Sequence, residues 1–251
     1  MVLDGVIAVD VLLVGMDKSQ SGLLQLTIAV LILLFTAWAT EEATQRIQRS
    51  RAERLLGDVR ALNVDHSQWK DVQPMMQTWG RWSSSKTPCT EQSCNYHIDV
   101  EQTLPPFLVG DPARGRKWLP RFANLLGLRS SAVRAGFAMD RGVVTAKWFG
   151  EQVTLPVADW GLRTDYVPFL SVLAGESSMF KADANQHLLH PNRAVERANN
   201  YLIVSYTPDE EATEKARLMD FDFHCITAIK PCRSEFYILP EAWQMWQMEK
   251  K

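Results

Sequence analysis

The sequence predicts an α+β fold: an N-terminal transmembrane helix and stalk, then an antiparallel sheet with helices packed on one face. Three observations lead there. Residues 22–39 (GLLQLTIAVLILLFTAWA) run for eighteen positions without a charge. Downstream, alternating and 3.6-residue patterns occur in mixed order rather than as regular βαβ units. Finally, the 251 residues are 46% hydrophobic and 22% charged, enough for one ordinary core and something extra. This composition excludes a disordered chain, a collagen-like repeat and a polytopic membrane protein. A net charge of −2 lacks the basic surplus that draws proteins onto nucleic acid, so no nucleic-acid partner is expected.

Four segments follow from the pattern. Residues 1–20 are a leader without an assigned role, apolar but interrupted by Asp4, Asp10 and Asp17. Residues 21–40 are the transmembrane helix. At ~1.5 Å rise per residue, eighteen residues span roughly 27 Å, near the thickness of a hydrocarbon core. A helix satisfies its own backbone hydrogen bonds in lipid. Trp38 stands at the end of the run, where an amphipathic ring favours the headgroup layer. No Ala-x-Ala-like cleavage site follows, and good helix formers continue from Glu41, so the span reads as an uncleaved anchor. The lipid bilayer is therefore the expected partner of residues 21–40.

Residues 41–62 are a helical stalk, with Ile47, Leu55, Leu56, Val59 and Leu62 recurring on one face. Residues 63–251 form a single α+β domain. Ser67 reads as the N-cap of a helix over SQWKDVQPMMQTW, with a kink at Pro74 and a stop at Gly80. YHIDV (96–100) alternates like a strand, and residues 116–126 read as a short helix. Residues 131–139 and 143–154 flank Asp140-Arg141-Gly142, the best hairpin signal in the chain. YLIVSY (201–206) is a further strand. Residues 209–219 form a helix with acids in its first turn, and the chain ends as a helix after Pro240.

Two signals oppose each other on orientation. Lys18 alone precedes the span, while Arg46, Arg49, Arg51 and Arg54 follow it, which by the positive-inside rule places the domain in the cytoplasm. The four cysteines argue for the outside. Cys89 and Cys94 form one close pair and Cys225 and Cys232 another, as suits disulfides in an oxidising compartment. Disulfides are favoured over free thiols, and free thiols over a zinc site built from all four, because C-x6-C is long for a zinc knuckle. The domain is expected to be extracytoplasmic.

Other chemical motifs are sparse. His187 and His190 (HLLH) stand three apart, on one face if helical, but lack the i, i+4 spacing and intervening Glu of a metalloprotease. Gly175-Glu176-Ser177-Ser178-Met179 supplies half of a nucleophile elbow, with Met179 in place of the closing glycine. There is no phosphate-cradling glycine loop. The basic run Arg114, Arg116, Lys117 and Arg121 reads as a solvated loop. Trp69, Trp79 and Trp82 cluster early and Trp243 and Trp246 late, as core packing does. No catalytic, cofactor-binding or metal-binding residue is assigned, and no cofactor is expected.

LLGDVRALNVDHSQWKDVQPMMQTWG (55–80) and DFDFHCITAIKPCRS (220–234) resemble uncharacterised single-span bacterial membrane-anchored proteins, whose stalk helix precedes a cysteine pair and a β-sheet. That likeness implies location rather than chemistry. Residues 64–80 are also similar, more remotely, to the helical opening of the SmpA/OmlA-type outer-membrane assembly lipoprotein module. Asp65 stands where that module has Gly, and no lipobox cysteine stands near the N-terminus, so the lipid attachment is not implied.

The expected function is a membrane-anchored extracytoplasmic module for binding or structure, not catalysis, with a protein partner in the envelope as a further expectation. The alternative is an anchored hydrolase or metal-dependent enzyme using dispersed residues such as His187, His190 and Asp165.

Overall fold

The computed structural model describes residues 18–85, 88–103, 126–154, 169–180, 187–194, 199–228, 230, 232 and 234–249. Asp165, the basic run from Arg114 to Arg121, most of the helix expected over 116–126 and nearly all of the leader lie outside them. The chain divides into two units, Met1–Ala43 and Thr44–Lys251.

Helix α1 runs Lys18–Ala61. In the first unit its large apolar side chains, among them Leu26, Leu31, Leu33 and Phe35, are exposed. The helix is long and apolar enough to cross a membrane. The residues read as a stalk belong, from Thr44 on, to the second compact unit. Ala52, Leu55, Leu56 and Val59 sit in its core, where their spacing builds a continuous apolar stripe. Ile47, placed on that stripe from sequence, is half exposed instead; the buried phase passes through Gln45 and Gln48.

Helix α2 covers Trp69–Trp79 and runs through Pro74. It starts one residue later than expected, because the Asp71 carboxylate accepts from the Gln68 backbone N–H (2.8 Å) while the Ser67 hydroxyl accepts from Asn63 N–H (2.8 Å). The helix stops at Gly80 as expected, and that residue, right-handed at φ −54°, leads into a 3₁₀ turn, Gly80–Trp82.

Among the described residues six strands follow: β1 Ser93–Gln102, β2 Ser131–Asp140, β3 Val143–Thr154, β4 Phe169–Ser177, β5 His187–Ala194 and β6 Asn199–Tyr206. They form one sheet in the order β1-β2-β3-β4-β6-β5. The expected hairpin joins β2 to β3, with Arg141 (φ 51°) and Gly142 (φ 82°) making the left-handed turn that matches strand twist. The sheet is mixed, not wholly antiparallel as the sequence suggested. β5 takes the far edge and β6 returns between it and β4, which makes the β4–β6 ladder parallel while the other four are antiparallel.

Three short helices close the chain: α3 Ala212–Leu218, the single turn α4 His224–Thr227, and α5 Pro240–Glu249. One face of the sheet carries the core. Its inward positions include Ile98 and Val100 on β1, Val133 and Phe137 on β2, Phe149 on β3, Val172 on β4 and Val204 on β6. Phe221 and Phe223 cover Phe149 edge-on at 4.8 and 5.8 Å between ring centres. On the outer face the Trp148 ring lies over Gly136, where a Cβ would stand 2.4 Å from it.

Candidate functional site

Alternation along the strands puts three polar side chains abreast on the apolar face. Lys147 on β3 pairs with Glu176 on β4, and Glu176 with Tyr206 on β6. The Glu176 carboxylate accepts from the Lys147 ammonium at 3.1 Å and from the Lys215 ammonium of α3 at 2.8 Å. Lys147 also donates to the carbonyl of Leu62, just past α1, and Lys215 to that of Pro208. The side chains of Lys147 and Glu176 are only 8% and 5% exposed. Burial pushes the Lys147 pKa below the usual lysine value, Glu176 pulls it back up, and Lys215 pushes it down. Burial likewise pushes the Tyr206 hydroxyl up, with the Glu176 charge adding to the effect and Arg60 opposing it.

A cavity of about 590 Å³ opens beside this row, and Arg60, Arg217, Asp220 and Glu241 also line it. Arg217 is held by Glu241 (3.1 Å) and Glu214 (3.0 Å). Arg60 Nη2 donates to the Met219 carbonyl (2.6 Å) and lies 3.4 Å from Asp220 Oδ1. Its Nε and Nη1 have no partner among the described residues, and its side chain is 43% exposed. The cavity thus has two ammonium groups sharing one carboxylate at its floor and, at its wall, a guanidinium beside Asp220 with further donors to spare. That arrangement suits a ligand with an anionic group, because a guanidinium fork matches carboxylate and phosphate oxygens.

A second cluster lies in the C-terminal segment. Cys225 and Cys232 are joined by a disulfide, as are Cys89 and Cys94. His224 Nε2 stands 3.4 Å from Cys232 Sγ and 3.9 Å from Cys225 Sγ. Its Nδ1 lies 2.9 Å from Asp222 Oδ2, an ion-pair distance but off the ring N–H axis. The neighbouring backbone is anchored by the buried Arg129 guanidinium, which donates to the carbonyls of Gly127 (3.3 Å), Cys225 (3.3 Å) and Ala228.

Glu151, on the inward face of β3, is almost fully buried with neither carboxylate oxygen bonded. Burial holds its pKa well above the usual carboxylate range, the Asp222 charge raises it further, and Arg49 opposes.

The residues singled out from sequence fare differently. His187 and His190 lie on a strand rather than a helix, and positions three apart on a strand fall on opposite faces. They do not make a one-face pair. Gly175, Glu176 and Ser177 end β4, and among the described residues no strand-to-helix elbow follows; the buried ion-paired group there is the Glu176 carboxylate. Trp79 is core, its ring N–H bonded to Asp58 at 2.7 Å, and Trp82 carries the Arg81 guanidinium at 3.6 Å. Sequence reasoning missed Lys147, Glu176 and Tyr206. Their signal was a charge or hydroxyl on the apolar phase of an alternating strand. A comparison of the chain with protein-family models, curated proteins and solved structures finds no match.

Proposed function

We propose that this chain is a single-pass membrane protein whose extracytoplasmic domain binds a small ligand through an anionic group in the cavity beside Glu176. The observation that carries the binding reading is the partly unused Arg60 guanidinium on the wall of a 590 Å³ cavity. Residues 21–40, exposed and apolar where the structure describes their side chains, support the bilayer as partner. The two disulfides support an oxidising compartment. Two of the four arginines behind the positive-inside count have partners in the fold. Arg49 pairs with Glu53 at 2.8 Å, and Arg51 lies over the Trp82 ring at 5.3 Å. The resemblance to single-span envelope proteins points to the same location.

The test has two arms. Sodium carbonate washing should leave the full-length protein in the membrane pellet, and protease added to right-side-out vesicles should digest the domain. Full-length protein in detergent is then titrated with inorganic phosphate and with succinate, the melting temperature being read for wild type and Arg60→Ala. A rise in wild type that the variant loses supports the site. No rise with either probe, or an equal rise in the variant, overturns it, and extraction by carbonate overturns the anchor.

A further inference from the structure

The geometry points to a second, metal-binding use of the C-terminal cysteine pair: when the Cys225–Cys232 disulfide is reduced, both thiolates and His224 Nε2 bind one zinc ion. The three donor atoms lie within 4.8 Å of one another. That spacing suits a soft divalent metal with Zn–S near ~2.3 Å and Zn–N near ~2.0 Å once the sulfurs are free to part. A carboxylate for the outer contact stands close by, off the ring N–H axis, so that a small rotation of the ring or of Asp222 completes the bond. Asp222 Oδ2 sits 2.9 Å from His224 Nδ1, the ring nitrogen facing away from the sulfurs. A carboxylate that accepts from the outer N–H of a ligating imidazole fixes its tautomer and raises its basicity. Both cysteines are buried while His224 is half exposed, so the site has a dry interior and a route for the ion. Three protein ligands leave a fourth position for water. The buried Arg129, bonded to the Cys225 and Ala228 carbonyls, holds the backbone of α4 and of the residue after it whichever link is present.

The chemistry balances with a named reductant. A phosphine takes oxygen from water to become the phosphine oxide, and its two electrons with two protons convert the disulfide to two thiols. Zinc then displaces both thiol protons into solvent. The same three side chains thus make a disulfide in an oxidising setting and a zinc clip in a reducing one. This inference stands apart from the ligand cavity and from the membrane orientation.

The experiment uses full-length protein in detergent carrying Cys89→Ser and Cys94→Ser, so that only one thiol pair remains. The protein is kept oxidised or reduced with phosphine, incubated with zinc chloride and gel-filtered, and bound zinc is measured by atomic emission. Reduced protein should retain about one zinc per chain and oxidised protein essentially none. His224→Ala should lose retention and His224→Cys should restore it, while Asp222→Asn should weaken affinity about 10–100-fold. Absence of zinc from reduced protein, or equal retention in His224→Ala, overturns the inference. Should reduction alone loosen the fold, near-ultraviolet circular dichroism gives the same decision: recovery on adding zinc supports the site, and no recovery overturns it.

Discussion

Replacing Glu176 with Gln should destabilise the domain strongly, while replacing Glu176 and Lys147 together should not. Glu176 is the only carboxylate paired with the Lys147 ammonium among the described residues, and it also holds Lys215. The side chains of Lys147 and Glu176 are nearly sealed from water and that of Lys215 is about one-quarter exposed. Glu176→Gln leaves two ammonium groups converging on a neutral amide, one of them buried. Breaking a buried pair by removing one partner costs about 3–5 kcal/mol, because the remaining charge stays desolvated. At about 2–4 °C per kcal/mol for a domain of this size, the melting temperature should fall by roughly 6–20 °C. Lys147→Met should cost less, since Glu176 keeps Lys215. The double variant Lys147→Met/Glu176→Met should lie within about 1–2 kcal/mol of wild type, because apolar replacement of a buried pair is often neutral. Urea melts of full-length protein in detergent, followed by near-ultraviolet circular dichroism, measure the cycle. A loss under about 1 kcal/mol for Glu176→Gln, the range of exposed pairs, would refute the reasoning by showing that water reaches the pair.

Glu151 gives a pH signature. The folded chain keeps its proton to higher pH than the unfolded chain does, so stability falls as pH rises above the ordinary carboxylate range, by at most about 1.4 kcal/mol per pH unit. Glu151→Gln should flatten that slope in melts between pH 4 and 8. Gly136→Ala places a Cβ 2.3 Å from the Tyr96 carbonyl and 2.4 Å from the Trp148 ring; overpacking of this kind should cost about 1–3 kcal/mol and alter tryptophan fluorescence. Replacing Cys225 and Cys232 with serine frees a short loop and should cost about 2–3 kcal/mol in the same melts. A fragment beginning at Thr44 should give a cooperative melt, whereas one beginning at Asn63 lacks Ala52, Leu55, Leu56 and Val59 of the core and should not.

Local signals were legible and long-range ones were not. The β2–β3 hairpin was readable because Asp140-Arg141-Gly142 supplies its left-handed turn, and the cysteine pairs were readable because each closes a short loop. β5 was hidden by Pro191, which removes a ladder donor; the strand survives because it lies at the sheet edge, where proline is tolerated. The parallel β4–β6 ladder depends on where β5 lands, and no local pattern encodes that. Lys147, Glu151 and Glu176 share their phase with Phe149, Val153 and Ala174. That alternation marks buried charge, but not which charge meets which. The pairing needs the register, and the approach of His224 to Cys232 needs the chain to turn back after α4.

Helix α1 carries two kinds of pattern in one stretch of sequence, the proposed anchor in its first half and a core-facing stripe in its second. Its first half is apolar on every side where described, from Leu26 through Phe35, and exposes eight large hydrophobic side chains. Burying a side chain of that size gains about 1.5–3 kcal/mol, so even half-exposed chains sum to the order of 10 kcal/mol of unmet apolar burial. An exposed apolar surface of this extent is what the proposed bilayer anchor would cover. The second half shows the opposite economy, with a single buried stripe and Gln48 donating to the Val100 carbonyl at 2.7 Å. The change falls near Ala43, where the two units meet in sequence. Amphipathic spacing begins there because one side of the helix joins the apolar core, and the all-round apolar character before it is what the proposed anchor requires.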